Sequence, residues 1–453
     1  MDLSGTVRRA GLAALVCWGA MAALPAPAEG QWKAGVAKTA ITPREPIWMA
    51  GYGARTKPSE GVLHELYAKA LALEDARGTR SVIVTADLLG FSRDMAETIA
   101  GRVQKKFGVP RERLVLSASH THSGPVTGEV LRPAYPLDEK QIAVINRYTA
   151  WLLDQVVNLI GTSIANLQPA QLSFEQGLAG FAVNRRRIGA RYRPGPVDQD
   201  VPVLSVRAGD GSLKAVVFEY ACHNTNLSGY QFSGDYAGIA QAELEKTYPG
   251  ATAMFVAGCG ADANPLPRRS VELATMYGQI LAAAVDQVLK AKMKPVGGPL
   301  KVAWEYVDLP FQKAPTREQL QAQTGQGDAA RRRYAQYLLE KLERDGRLAD
   351  HYAYPVQVWQ FGGDLTFIPM AGEVVSDYAL RFKGQYGWDN TWVAGYSNDV
   401  FAYIPSLRVL KEGGYEGGGA MVPYGQPAPF RAPVEEIIAE KVDELVKRVR
   451  AGE

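Results

Sequence analysis

Apolar runs of strand length alternate along most of the chain with longer segments of helical period, and this alternation limits the fold more than any other feature of the sequence. Runs rich in Val, Ile, Leu and aromatic residues, each bounded by turn residues, occupy 32–41, 66–75, 81–88, 113–119, 170–176, 201–207, 214–222, 253–258, 300–309, 355–361 and 364–369. Such runs read as strands. Helical period marks 92–108, 139–166, 236–247, 269–292, 327–346, 373–384 and 433–450. In FSRDMAETIAGRVQKKFG, Ser92 is placed to cap, Met95, Ile99 and Val103 share one face, and Gly108-Val109-Pro110 stops the helix. Gly209-Asp210-Gly211 and Gly362-Gly363 each separate two strands as hairpin turns. The pattern predicts an α/β fold, a layered mixed β-sheet core flanked by helices, and not an all-β or bundle fold. The charged, helical stretch 311–350 reads as a solvated insertion over part of that core.

Residues 1–28 read as a cleavable leader: Arg8 and Arg9 precede an apolar stretch from Ala10 to Leu24, and Ala26-Pro27-Ala28 follows. The expected product is one catalytic unit over 29–453, secreted or periplasmic. Cys17 lies inside the apolar stretch and lacks the small residue that lipid attachment wants directly before it. No later apolar run reaches the roughly 18 residues of a membrane span, so no transmembrane segment is expected in the mature chain and any membrane contact would be peripheral. A net charge of +3, evenly spread, excludes the electrostatic footprint of a nucleic-acid binder. Cys222 and Cys259 remain after the leader. In an oxidising compartment they form either a disulfide or two small apolar wall positions.

Two of the chain's 5 histidines lie in SASHTHSGP, closing the apolar run VLSA. If the extended conformation persists past the strand, the imidazoles of His120 and His122 point the same way. They could then share a metal, or one could hold metal while the other handles protons; two exposed loop histidines are the plain alternative. His223 ends a second apolar run, VVFEYACH, before Asn224-Thr225-Asn226. Carboxyl ends of neighbouring strands are where α/β sheets build ligand sites. Imidazole nitrogens with oxygen donors suit zinc. Asp87 closes SVIVTAD, Glu373 follows LTFIPM, and Asp262 and Asn264 lie in VAGCGADANP. Each alone reads equally as a cap or turn residue, yet together they could populate one sheet edge, and a second metal near Asp87 or Asp262 stays open. GYSNDVFAYIPS and GGYEGGGAMVPYG are pocket-forming loops whose Tyr403 and Tyr415 could hydrogen-bond, bind metal or simply pack. Arg185 in AVNRRR belongs either to a solvated charge run or to an anion or carbonyl contact.

Taken in order, AGVAKTAITP, GYGARTKPSEGVLHELYAKALALED, VTADLLGF, ASHTHSGP, AVNRRR, ACHNTNL, GCGADANP, MAGEVV and GYSNDVFAYIP resemble the catalytic domain of the neutral/alkaline, non-lysosomal ceramidases. The resemblance runs from about Gly35 to the C-terminus, apart from the insertion near 311–350. It implies hydrolysis of the amide of ceramide or a related N-acyl lipid with one zinc per chain. It further implies His120, His223, Glu373 and Tyr403 as ligands, and His122, Arg185 and Tyr415 lining the substrate site. A zinc hydrolase of the same fold acting on an ester, lactone or small N-acyl amine, and a non-catalytic lipid- or glycan-binding relative, are the alternatives. Two departures from the resemblance are expected: Asn264 in the place of a family serine before Pro265, and no C-terminal immunoglobulin-like domain after 433–450. Both point the expectation toward a head group other than free sphingoid hydroxyls.

Overall fold

Period-2 alternation in the strands divides their apolar side chains between two cores. In the strand Tyr67–Asp75, Ala68, Ala70 and Ala72 join one core while Leu71 and Leu73 join the other. Leu114–Ala118 and Thr252–Ala257 divide in the same way. Strands buried on both faces read as near-continuous apolar runs. The protein's structure, a computed structural model, describes residues 1–2, 32–187 and 194–451. The leader expected over 1–28 lies outside these apart from its first two residues.

The larger sheet uses β1 (Trp32–Ala40), β2 (Tyr67–Asp75), β3 (Arg80–Ala86), β4 (Leu114–Ala118), β5 (Gln168–Leu178), β6 (Asp200–Ala208), β7 (Leu213–Tyr220) and β8 (Thr252–Ala257). Their order is β8-β7-β6-β5-β1-β2-β3-β4, with Lys294–Pro295 pairing on β5. The end pairs β8/β7 and β3/β4 are parallel and the pairs between them antiparallel. A smaller sheet, β9 (Leu300–Pro310), β10 (His351–Phe361), β11 (Leu365–Pro369) and β12 (Thr391–Ala394), packs on its face. Trp32, Phe174, Trp359, Phe361, Phe367 and Trp392 fill the space between the two sheets. Helices α1 (Arg93–Phe107), α2 (Glu139–Ala165), α3 (Asp235–Thr247) and α4 (Val271–Lys290) cover the outer face of the larger sheet, and α7 (Ser376–Tyr386) and α8 (Val434–Ala451) that of the smaller. This is the layered, helix-flanked α/β arrangement that the alternation predicts.

Both glycine turns are hairpins, β6–β7 and β10–β11. The insertion is two helices, α5 (Arg317–Thr324) and α6 (Ala329–Asp345), of which only the second has a clear helical period in the sequence. They pack Leu320, Tyr334, Ala335, Leu338 and Leu339 into a small core of their own. β12 is missed because it is only four residues long, too short for an apolar run to stand out from its surroundings. Glu373 is not in a helix either, since Glu373–Val374 pairs in parallel with Tyr403–Ile404 and α7 starts at Ser376. Cys222 and Cys259 are free, buried thiols, so the wall reading holds and the disulfide does not.

One buried ion cluster joins α7 to the larger sheet. Lys383 has a fully buried side chain whose Nζ lies 2.6 Å from Asp198 and 2.9 Å from Asp200, with the buried Glu219 carboxyl close enough to help hold the ammonium charged. Removing the cation would strand buried carboxylates. Lys383→Met should therefore cost about 3–5 kcal/mol, read as a lowered midpoint in denaturant unfolding. An unchanged midpoint would show that the cluster adds nothing to the fold.

Candidate metal centre

Segments far apart in sequence are stitched together at the carboxyl ends of β4, β7 and β8. Thr121 and Asn224 form an isolated parallel bridge, and Asn224 Nδ2 donates to Ser119 O. His223 N donates to Ala263 O at 3.1 Å. The chain after β12 spans the two edge strands of the larger sheet: Gly395 N donates to Ala257 O at 3.0 Å and Asn398 N to Leu116 O at 2.6 Å. Three histidines meet within this closure.

The extended conformation does not continue to His120, whose φ is 56° in the left-handed region. The two rings nonetheless converge, with His120 Nε2 and His122 Nε2 3.2 Å apart. Their meeting is therefore a product of the turn and not of strand period. Tyr396 lies over His120 with ring centroids 4.3 Å apart, and Tyr52 lies beside His122 at 4.8 Å. Gly51, at φ +94°, lets the backbone pass the His122 ring, because a Cβ there would fall 2.4 Å from Nδ1.

Backbone carbonyls fix two of the rings. Nδ1 of His120 lies 2.7 Å from Leu89 O, and Nδ1 of His223 lies 2.9 Å from Gly260 O. Each Nδ1 must donate to its carbonyl, so each neutral ring keeps a bare Nε2 lone pair. Both lone pairs face one carboxylate oxygen: Glu373 Oε2 is 3.2 Å from His120 Nε2 and 3.1 Å from His223 Nε2. Tyr403 OH stands 3.2 Å from His223 Nε2, and Tyr424 OH donates to the other carboxylate oxygen, Oε1. Acceptors this close and this buried are relieved by a proton on an imidazole or by a cation held between them. Possible ligand nitrogens of His120, His122 and His223 all lie within 4.8 Å of one another. Imidazole nitrogens, one carboxylate oxygen and one phenolic oxygen fit zinc by donor type.

Charge follows the same geometry. Burial opposes ionisation of Glu373, and only protons on His120 and His223, donated to the carboxylate, would hold it well below the usual range in the absence of a metal. Burial and the nearby Arg185 charge push His223 down to about 4. Burial, with the neighbouring imidazoles, pushes His122 well below its ordinary value. Arg185 Nη2 donates to Tyr403 OH at 3.0 Å while its Nε binds Glu416 Oε1 at 2.7 Å.

Other sequence candidates lie further out. Tyr415, half exposed, packs its ring 5.3 Å from that of Tyr403. Asn264 is buried, accepts from Thr225 Oγ1 at 3.3 Å and lines a cavity with Arg185 and Tyr415. Asp262 accepts from Ser376 N and Oγ and from Asn184 Nδ2, tying together the segments that carry Arg185 and Glu373. Asp87 accepts from Tyr67 N and faces a different cleft, with Lys69 and Gln241. Tyr52, Tyr396, Glu416 and Tyr424 also belong to the centre. All four lie inside glycine- and tyrosine-rich blocks of the sequence, and that density was their only signal.

Comparison with known proteins places the chain. A family model described as neutral/alkaline non-lysosomal ceramidase, N-terminal, matches residues 32–265. Neutral ceramidase of Drosophila pseudoobscura pseudoobscura is 24% identical over 248 residues, 51% of this chain and 34% of that protein. Neutral ceramidase of Drosophila melanogaster is 24% identical over 236 residues, 48% of this chain and 32% of that protein. The chain thus spans about a third of the length of the curated relatives it matches. The crystal structure of neutral ceramidase from Pseudomonas aeruginosa superposes with a TM-score of 0.73 at 20% identity, covering 94% of this chain and 75% of that one. A ceramidase complexed with C2 gives 0.73 at 18%, covering 93% and 76%. These two likenesses speak for the fold alone. The family match spans just over half of the chain, and the chain therefore belongs to the neutral/alkaline non-lysosomal ceramidase family.

Proposed function

We propose that this protein is an exported zinc-dependent amidohydrolase that cleaves the N-acyl amide of ceramide or a related N-acyl lipid. One observation carries the reading: the bare Nε2 atoms of His120 and His223 converge with Glu373 Oε2 in a buried site. His120, His223, Glu373 and Tyr403 are the ligands in this reading. When bound, the ion would supply Lewis acidity, drawing the pKa of a water it holds from about 15.7 toward about 7 and polarising the amide carbonyl.

The chain's own groups divide the remaining work. His122, kept neutral by burial, has its Nε2 beside the ligand cluster and takes the attacking water's proton, then passes it to the departing amine nitrogen. Arg185 and Tyr415 face the charge that develops on the carbonyl oxygen, an effect worth roughly 3 kcal/mol per donor. Arg185 is held in place by Glu416, so its guanidinium needs no reorganisation during the reaction. Asn264 offers amide donors and an acceptor but no attacking oxygen, which favours direct attack by water with no covalent acyl-enzyme.

Metal analysis of the purified protein should find about one zinc per chain, lost in His223→Ala while circular dichroism stays native. Full zinc in a folded His120→Ala, His223→Ala double variant would remove the ligand assignment. The neighbouring histidine behaves differently: His122→Ala should keep its zinc and lose on the order of 10²–10⁴ in rate. Zinc loss in that variant, with retention in His120→Ala, would exchange the two roles. Asn264→Ser should leave the zinc content unchanged and raise hydrolysis of ceramide relative to simpler N-acyl amines. Efficient ceramide cleavage by the wild type, or a covalent acyl group trapped by rapid quench, would count against the role given to Asn264.

A further inference from the structure

The cavity outside the metal centre has an unbalanced rim. Arg185, Arg186, Asn264, Arg268, Glu412 and Glu416 line an open cavity of about 640 Å³. Both carboxylates there are already shared: Glu416 takes Arg185 and Arg186, and Glu412 takes Arg186, Arg187 and Arg408. Arg268 has no hydrogen-bond or ion-pair partner among the described residues, although it is half-buried and its nearest charges, Arg269 and Arg185, repel it. Arg269 has no carboxylate either. It donates to Tyr52 OH at 2.7 Å from a backbone held at φ 95°, a strained position for a residue with a Cβ. Arg55, whose guanidinium lies 4.9 Å from the Tyr52 ring, donates to the carbonyls of Ala50, His122 and Gly229, and its buried Nε has no partner among the described residues. Among the described residues Arg268, Arg269 and Arg55 thus gather beside Tyr52 with no carboxylate in an ion pair with any of them, and a half-buried guanidinium left unpaired is a ready partner for an anion.

We propose that this cavity binds an anionic oxygen group of the substrate, a carboxylate or a phosphate, and that Arg268 is the residue that recognises it. The inference rests on the reading of the adjoining centre as an amide hydrolase. It narrows the substrate class to N-acyl amides that carry an anion near the amide, for which a neutral ceramide head group is a poorer match. Asn264 in the same wall supplies a neutral donor that an anionic oxygen can also accept from.

Binding separates this inference from the catalytic one. Affinities of the metal-loaded protein would be measured by calorimetry for N-dodecanoylglycine against its neutral amide, and for N-dodecanoylethanolamine phosphate against its alcohol, with turnover followed in parallel. Each anion should bind at least about tenfold tighter than its neutral partner, as a charge-assisted hydrogen bond allows. The larger ratio identifies carboxylate or phosphate as the preferred group. Arg268→Ala should bring both ratios close to one while leaving neutral-ligand affinity unchanged, and Arg268→Lys should restore part of the preference. Equal affinities in the wild type, or ratios unmoved by Arg268→Ala, overturn the proposal. So does a loss in Arg268→Ala confined to binding of phosphatidylglycerol vesicles, which would make the rim a membrane contact. Preference for the anion with no turnover of any amide sinks the amidase reading and leaves this one standing.

Discussion

Two imidazole nitrogens and a carboxylate oxygen, held within about hydrogen-bond distance in a buried pocket, are the interaction around which this end of the molecule is organised. The Leu89 and Gly260 carbonyls fix His120 and His223 with their Nε2 atoms inward. With both rings neutral that arrangement is repulsive, because buried acceptors that face each other lose hydration and gain nothing. It persists because the surrounding structure over-determines it. A Cβ at Gly260 would fall 2.4 Å from the Ala221 carbonyl carbon, and one at Gly51 would strike the His122 ring. The strain of His120 in the left-handed region belongs to the same account, as a cost met by packing elsewhere. A bound cation would turn the repulsion into attraction, and this is why the donor set points to a metal more firmly than any single residue does.

The centre also depends on how the larger sheet is closed. Its edge strands, β4 and β8, lie at opposite ends of the strand order, yet the chain around 394–398 bonds to both. His120 follows one edge, His223 follows β7 beside the other edge, and Glu373 and Tyr403 arrive on a short parallel pair anchored to the same closure. The four proposed ligands therefore come from separate segments, none of which could form the site alone.

Much of this architecture is legible in the sequence, and the parts that are not share a cause. Long helices such as 139–166 and alternating strands such as 66–75 are written in local periodicity, which is a property of one segment. β12 and the Glu373–Val374 pair are short, fully buried and defined only by partners elsewhere. The histidine pair in HTH is instructive: the sequence suggests that the rings point the same way by strand period, whereas the rings meet through a left-handed turn. The expectation of convergence was sound and its mechanism was not. Tyr424 and Glu416 escape attention because a tyrosine or glutamate in a glycine-rich loop looks the same whether it packs, caps or orients a ligand.

The helical stretch 311–350 is connected to the centre through a short chain of contacts. Tyr334 on α6 donates to Gln426 O at 2.8 Å, and Gln426 Nε2 in turn donates to Phe401 O at 3.0 Å, two residues from Tyr403. Tyr337 lies against Gly425, where a Cβ would fall 2.4 Å from its ring, and Tyr424 next to it donates to Glu373 Oε1. Tyr424 thus anchors Oε1 while Oε2 faces the two imidazoles. A segment that looks like surface decoration in the sequence braces the loop that orients the Glu373 carboxylate. Loops on a rigid scaffold vary most readily where few contacts cross, and here the contacts that do cross end on a proposed ligand.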